Sequence, residues 1–243
     1  NKTGIRWMMG ILVSPSFVAH LAIILIPALL LKQIVTAATI TIMPATSAYE
    51  ATGNQRMLRE LLIRGMRYTT VLVLAGLLAA GVLMKNVLGV WLGAEYEFLA
   101  PYALVLFATQ CFMLSTSTAH HMLKGMGKLR SILFIYMFGL IIVPVSLILI
   151  VFQTQHNPYI AVTVGLTSGH LVCGYLQIIF GVKAVYADLR GVFIRVYGQP
   201  LLAAAVALLP VYALVYYGIV DGLPARLGLT VLSIGAFGAQ MYF

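Results

Sequence analysis

Charge is what this sequence has least of. Only 9% of its 243 residues are Asp, Glu, Lys or Arg, and only six of them are acids. A soluble domain carries about 25% charged residues. A chain that is 62% hydrophobic, with mean hydropathy +1.01, lacks the polar surface to cover itself in water. The six acids, Glu50, Glu60, Glu95, Glu97, Asp188 and Asp221, all fall between apolar runs or at their ends. That leaves no carboxylate at membrane depth for a proton relay or a cation site. Cysteine is scarce too: Cys111 and Cys173 sit singly inside apolar runs, as packing residues with no bearing on redox compartment. No His, Cys and Asp cluster has metal-ligand spacing. Extended polar stretches are missing, which excludes a soluble catalytic domain, and no cleavable signal peptide is visible. The net charge of +9 raises nucleic acid as a partner, but its lysines and arginines come in short clusters between apolar runs, the pattern of membrane topology.

What the sequence has in abundance is apolar runs of about 20 residues or more, the length that spans a bilayer as a helix. Seven are predicted, over 17–47, 68–92, 99–123, 131–152, 158–183, 198–220 and 224–243. The expected fold is therefore all-α, a polytopic transmembrane bundle of about seven spans plus a partial first helix at 3–13. That short segment resembles the last turns of a span, so the chain is expected to be a fragment. The first full span contains Pro27, a candidate kink, and is expected to stop near Pro44; two half-helices broken at Pro27 or Lys32 are the alternative. Residues 55–67 form an amphipathic lead-in, with Leu58, Leu61, Leu62 and Met66 on one face and Glu60 and Arg64 as an i,i+4 pair. The turns after the first, third and fifth full spans hold ten lysines and arginines (Arg56, Arg59, Arg64, Arg67, Lys124, Lys128, Arg130, Lys183, Arg190, Arg195), against Lys85 and Arg226 in the others. That asymmetry places the basic turns in the cytoplasm.

Candidate chemistry lies in polar groups at membrane depth. Lys32 is near the middle of its span, and Thr36 and Thr39 extend its stripe at i+4 and i+7. One reading is a cation that attracts an anionic ligand into an aqueous cavity; the other is a lysine that snorkels or packs among helices. A second stripe runs through Gln110, Ser117, His121 and Lys124, and a third through Thr163, Thr167, His170 and Gln177. These either line an aqueous path or hydrogen-bond between helices. The candidate cavity residues are Lys32, Thr36, Gln110, His121 and His170. His121 and its neighbour His120 stand close to the cytoplasmic interface and are weaker candidates than His170; His20 and Arg6, near the outer side, are weaker still, and His156 belongs to a turn. No catalytic residue, metal or cofactor is expected.

Three local patterns carry a resemblance. Pro44-Ala45-Thr46-Ser47 followed by Gly53-Asn54-Gln55 and LRELLIRGMR, the turn VWLGAEYEFLAP, and the turn LKGMGKLRSI resemble patterns of polysaccharide flippases. Within the multidrug/oligosaccharidyl-lipid/polysaccharide exporter superfamily, the O-antigen-type flippases are most similar. The resemblance covers most of residues 3–183, and its motifs mark helix ends, so they specify fold more sharply than substrate. It implies two six-helix bundles around a central cavity. Residues 1–196 would then be the second bundle, its first helix incomplete, and 197–243 two additional C-terminal helices. It further implies a flippase that moves an undecaprenyl-pyrophosphate-linked oligosaccharide across the bacterial inner membrane by alternating access, with the missing N-terminal bundle as a partner. A cation-drug exporter of the same fold, a membrane enzyme of cell-envelope polysaccharide assembly and a non-transporting scaffold are the alternatives.

Overall fold

The computed structural model describes residues 14–155, 157–216 and 223–242. The segment 3–13, Arg6, His156 and Asp221 lie outside the described residues. Among the described residues every regular element is helical, as a backbone in hydrocarbon must be when it can bond only to itself. Helix α1 covers Pro15–Thr39; Ser14 caps it by accepting the Phe17 N–H at 3.2 Å. It runs unbroken through Pro27 and Lys32, so the two-half-helix alternative does not describe it.

α1 also ends earlier than the sequence predicts. The chain turns at Ile40 and Thr41, and α2 begins at Ile42 and runs to Ala51. Pro44, expected to stop the helix, lies in the first turn of α2 instead. A proline there lacks the N–H that would bond the Ile40 carbonyl, and its ring crowds that carbonyl. The break therefore falls four residues upstream of the proline.

α3, Gln55–Leu92, is one helix of 38 residues, about 57 Å long at 1.5 Å per residue. The amphipathic lead-in and the following span are thus continuous. Leu58, Leu62 and Met66 are fully buried, as their spacing predicts, and Glu60 pairs with Arg64 at 3.3 Å and with Arg56 at 3.5 Å. Beyond Gly93 a 3-10 turn, Ala94–Leu99, leads into α4 (Ala100–Ser115) and α5 (Ser117–Gly125). The third expected span is thus two helices broken at Thr116. The fourth is α6 (Leu129–Met137) and α7 (Val143–Gln155), joined by a π-helical segment at Phe138–Ile142. α8 spans Pro158–Ala184, close to its predicted 158–183, and Asn157 caps it. A short α9 (Leu189–Phe193) and a second π segment (Ile194–Gly198) lead into α10 (Gln199–Tyr216), and α11 covers Leu223–Tyr242.

Among the described residues, five stretches are long and apolar enough to cross a membrane: Pro15–Ala51, Gln55–Leu92, Ala94–Gly125, Leu129–Thr154 and Pro158–Ala184. They coincide with the first five predicted spans, and α10 and α11 occupy the positions of the last two. The protein is an all-α membrane protein. α4 packs against α1, α3 and α8; α7 packs on α8; α10 and α11 pack on each other and on α3. The α7–α8 contact is close because small residues recur every fourth position. A Cβ at Gly169 would lie 2.6 Å from the Gly139 carbonyl oxygen, and one at Gly165 would lie 2.8 Å from the Pro144 carbonyl oxygen. Small residues at such spacing let helices approach in lipid, where no hydrophobic effect drives them together. Outward, Leu129, Leu133, Leu202, Val231 and Leu232 are each more than 60% exposed, an apolar surface suited to acyl chains.

Candidate functional site

Three basic turns meet at one end of the bundle. The turns after α2 and α5 close in the same way. Gly53 and Gly127 have φ of +64° and +68°, and the next residue's N–H returns to a carbonyl five residues back, Asn54 to Tyr49 at 3.0 Å and Lys128 to Leu123 at 2.9 Å. Glycine adopts this left-handed geometry without steric cost. The turns are then stitched across. Arg59 donates its Nε–H to the Val185 carbonyl at 2.8 Å, and Lys128 donates from Nζ to the Ala184 carbonyl at 3.4 Å. These cations satisfy carbonyls that the end of α8 leaves open and oppose its negative dipole end. Ser47 of α2 donates to the Gly125 carbonyl of α5 at 2.9 Å. A Cβ at Gly125 would come within 2.6 Å of the Met43 carbonyl oxygen, so only glycine fits that crossing.

The break at Thr116 is where the chain spends its hydroxyls. Four consecutive residues, Ser115-Thr116-Ser117-Thr118, face different neighbours. Ser115 Oγ lies 2.8 Å from Tyr197 Oη, and the Ser115 carbonyl accepts from Thr69 of α3 at 2.8 Å. Thr116 donates to Gln177 Oε1 of α8 at 2.5 Å, and Ser117 Oγ lies 3.0 Å from Thr39 Oγ1 of α1. Thr118 packs against α3, where a Cβ on Gly65 would meet its methyl at 2.6 Å. One helix break thus ties four other elements together at membrane depth, where hydroxyls satisfy the backbone groups that a break releases.

Directly beside this knot lies a cavity of about 310 Å³, with Lys32 and Thr36 of α1 on one wall and Ser117, His120, His121 and Lys124 of α5 on another. Tyr136 of α6 and Gln177 of α8 complete the polar lining, with Met113, Leu114 and Leu140 as apolar wall. Tyr136 Oη stands 3.0 Å from His120 Nε2, and the His120 and His121 rings are 5.6 Å apart. The cavity extends from Lys124, at the foot of the basic Gly125–Lys128 turn, to Lys32. Lys32 is seven residues before Thr39, about 10 Å deeper along α1. No acid lines the cavity. The acids with a role among the described residues are occupied elsewhere: Glu60 by Arg56 and Arg64, Glu97 by Lys85 at 3.2 Å, and Asp188 by the N–H groups of Arg190 and Gly191. Chemically the cavity presents two ammonium groups, two imidazoles, three hydroxyls and an amide. Such a lining holds an anion and hydrogen-bonds polyols. Among the described residues, no group of three His, Cys, Asp or Glu is placed to hold a metal ion.

Of the five predicted cavity residues, Lys32, Thr36 and His121 meet in this cavity. Gln110 and His170 lie elsewhere. In one continuous helix Gln110 and Ser117, seven residues apart, would share a face; the break at Thr116 resets the phase and leaves Gln110 buried in the α4 packing. It is 1% exposed, and neither amide atom has a hydrogen-bond partner among the described residues. His170, 3% exposed, is packed against α4 with its Nδ1 3.4 Å from Thr109 Oγ1. The third stripe thus divides: Gln177 lines the cavity and His170 joins helices. His120 and Tyr136 are the lining residues that sequence reasoning ranked low or passed over. His120 stands close to the interface, where a histidine is no signal of a cavity, and a tyrosine in an apolar run gives no periodic signal. At the opposite end His20 belongs to an aromatic cluster, its Nδ1 2.6 Å from Tyr159 Oη, with Tyr96 and Phe98 edge-on to its ring.

No family model matches the chain, and neither a curated protein nor a solved structure matches it.

Proposed function

We propose that the protein is a membrane exporter that moves a lipid-linked oligosaccharide, carried on a polyprenyl pyrophosphate, from the cytoplasmic to the outer face of a bacterial inner membrane. The observation that carries this reading is the acid-free cavity with Lys32, His120, His121 and Lys124 in its wall. A charge at bilayer depth is costly unless it faces an aqueous cavity or a partner, and Lys32 has no ion-pair partner among the described residues. A diphosphate supplies the missing negative charge, while the serine, threonine, tyrosine and glutamine groups suit sugar hydroxyls. The lipid tail stays in the bilayer throughout. No bond is made or broken: the site opens first to the basic end and then to the other, as in exporters that rock about a midplane site.

The resemblance to polysaccharide flippases agrees with this reading, and two of the three pieces that carry it are neighbours in space. The Pro44–Ser47 segment and the LKGMGK turn touch through Ser47 and Gly125. Lys124, at the head of that turn, lines the cavity. The ten-to-two distribution of basic residues supports a cytoplasmic basic end, where the lipid-linked substrate is made.

The test separates charge from shape. In a surface-polysaccharide complementation assay, Lys32→Arg keeps most of the export, whereas Lys32→Met abolishes most of it at normal protein abundance. Full export by Lys32→Met rejects the cavity as the substrate site, since removing an idle charge from the membrane relieves a cost of about 2.5–3.5 kcal/mol and harms nothing.

A further inference from the structure

A second concavity lies away from the first, between the lower part of α3 and the π segment that opens α10. It encloses about 730 Å³. Its rim carries Arg64 and Arg67 from α3 and Arg195 from the π segment, and its floor runs along Leu202, Ala203 and Val206 of α10. Arg64 is shared with Glu60 at 3.3 Å, and Arg67 donates from Nη2 to the neutral Gln199 Oε1 at 2.5 Å. Arg195 has no ion pair among the described residues, and no carboxylate lines the groove. The groove is thus electropositive at its rim and apolar along its length.

The two properties are ordered along the membrane normal. The arginines lie at the end of the bundle where the basic turns gather. The apolar floor leads away from them for about two helical turns, some 12 Å from Gly198 to Val206. Leu202 and Val206 are 70% and 59% exposed, so they face a hydrocarbon ligand or the bilayer. Arg195 belongs to the π turn over Ile194–Gly198, which widens the helix two residues ahead of Pro200, whose ring could not follow a regular turn. A water-soluble phosphate would need the rim alone. An amphiphile that carries its phosphate at the headgroup level and an acyl chain below it uses both.

We infer that this groove binds an anionic glycerophospholipid, with its headgroup phosphate between Arg67 and Arg195 and one acyl chain along α10. The lipid lies beside the direct contact of α10 with α3, and the site is independent of the Lys32 cavity.

The test uses the purified chain in neutral detergent with phosphatidylglycerol or phosphatidylcholine added, and native mass spectrometry to count retained lipids. Phosphatidylglycerol is retained in preference to phosphatidylcholine. Replacing Arg67 and Arg195 together by Gln lowers its affinity about 30-fold, the equivalent of about 2 kcal/mol for two membrane-surface cations. Arg67→Lys with Arg195→Lys, which preserves the charge, stays within a few-fold of wild type. Arg130→Gln, an exposed cation at the same end on α6, changes nothing. Should the Gln pair fail to fold, competition on the wild-type chain decides: glycerol phosphate displaces no lipid. Equal retention of the two lipids, an equal loss in Arg130→Gln, or displacement by glycerol phosphate overturns the proposal.

Discussion

At Thr116 a single hydroxyl links the helix break to α8. It donates to Gln177 Oε1, and Gln177 Nε2 in turn lies 3.4 Å from Cys173 Sγ. Thr116→Val keeps the shape and removes the donor, leaving a buried amide oxygen unpaired. Hydrogen bonds between membrane helices are worth about 0.6 kcal/mol on average, with a maximum near 1.7. The loss here falls at the upper end, because an unsatisfied acceptor remains. A drop of a few degrees in the thermal midpoint of the detergent-purified variant is the expected result; an unchanged midpoint shows that the hydroxyl knot carries no stability. The sequence displayed these four hydroxyls as STST inside an apolar run, yet nothing in one strand of text says which helix each will reach. Lys32, Thr36 and His121 were legible because charge and polarity at membrane depth are rare enough to be informative alone. Gln110 misled for the same reason: a buried amide and a cavity amide look alike until the phase of the helix is known.

Three irregularities of the helices precede a proline, near the carbonyl four residues upstream that its ring disturbs. Pro44 ends α1 at Ile40, while Pro144 and Pro200 follow the two π segments by two residues. Sequence reading located the spans to within a few residues for α8 and merged the lead-in with its span only in part. It placed the proline effects at the prolines themselves, whereas hydrogen bonding moves them one turn upstream. Glycine does the complementary work of bringing helices together. Gly165 and Gly169 leave no room for a side chain beside Pro144 and Gly139. Gly169→Leu therefore forces α7 and α8 apart and costs about 1–3 kcal/mol by overpacking. Its measurable form is a lower midpoint and earlier proteolysis between α7 and α8. Wild-type stability in Gly169→Leu would mean the two helices are not packed this closely.

On the scale of the whole molecule, the distribution of charge and the distribution of contacts describe the same polarity. The basic turns are tied to one another by Arg59, Lys128 and Ser47, and the aromatic cluster around His20 and Tyr159 sits at the far end with Glu97 and Lys85. Cysteines introduced singly at Asn54 and Lys128 should react with an impermeant maleimide only from the cytoplasm, and one at Glu97 only from outside. Cys111 and Cys173, 2% and 0% exposed, stay silent in that assay. Reaction of positions 54 and 97 from the same side would contradict the arrangement of spans. The central claim, that an acid-free cavity receives an anionic pyrophosphate, is tested most directly by binding. A short-chain polyprenyl diphosphate is titrated into the purified chain and into Lys32→Met, with the uncharged polyprenol as control. The account predicts binding of the diphosphate, a weakening of about 10- to 100-fold in Lys32→Met, as befits loss of a charged hydrogen bond, and no competition from polyprenol. Equal affinity of the wild-type and Lys32→Met chains for the diphosphate would contradict it.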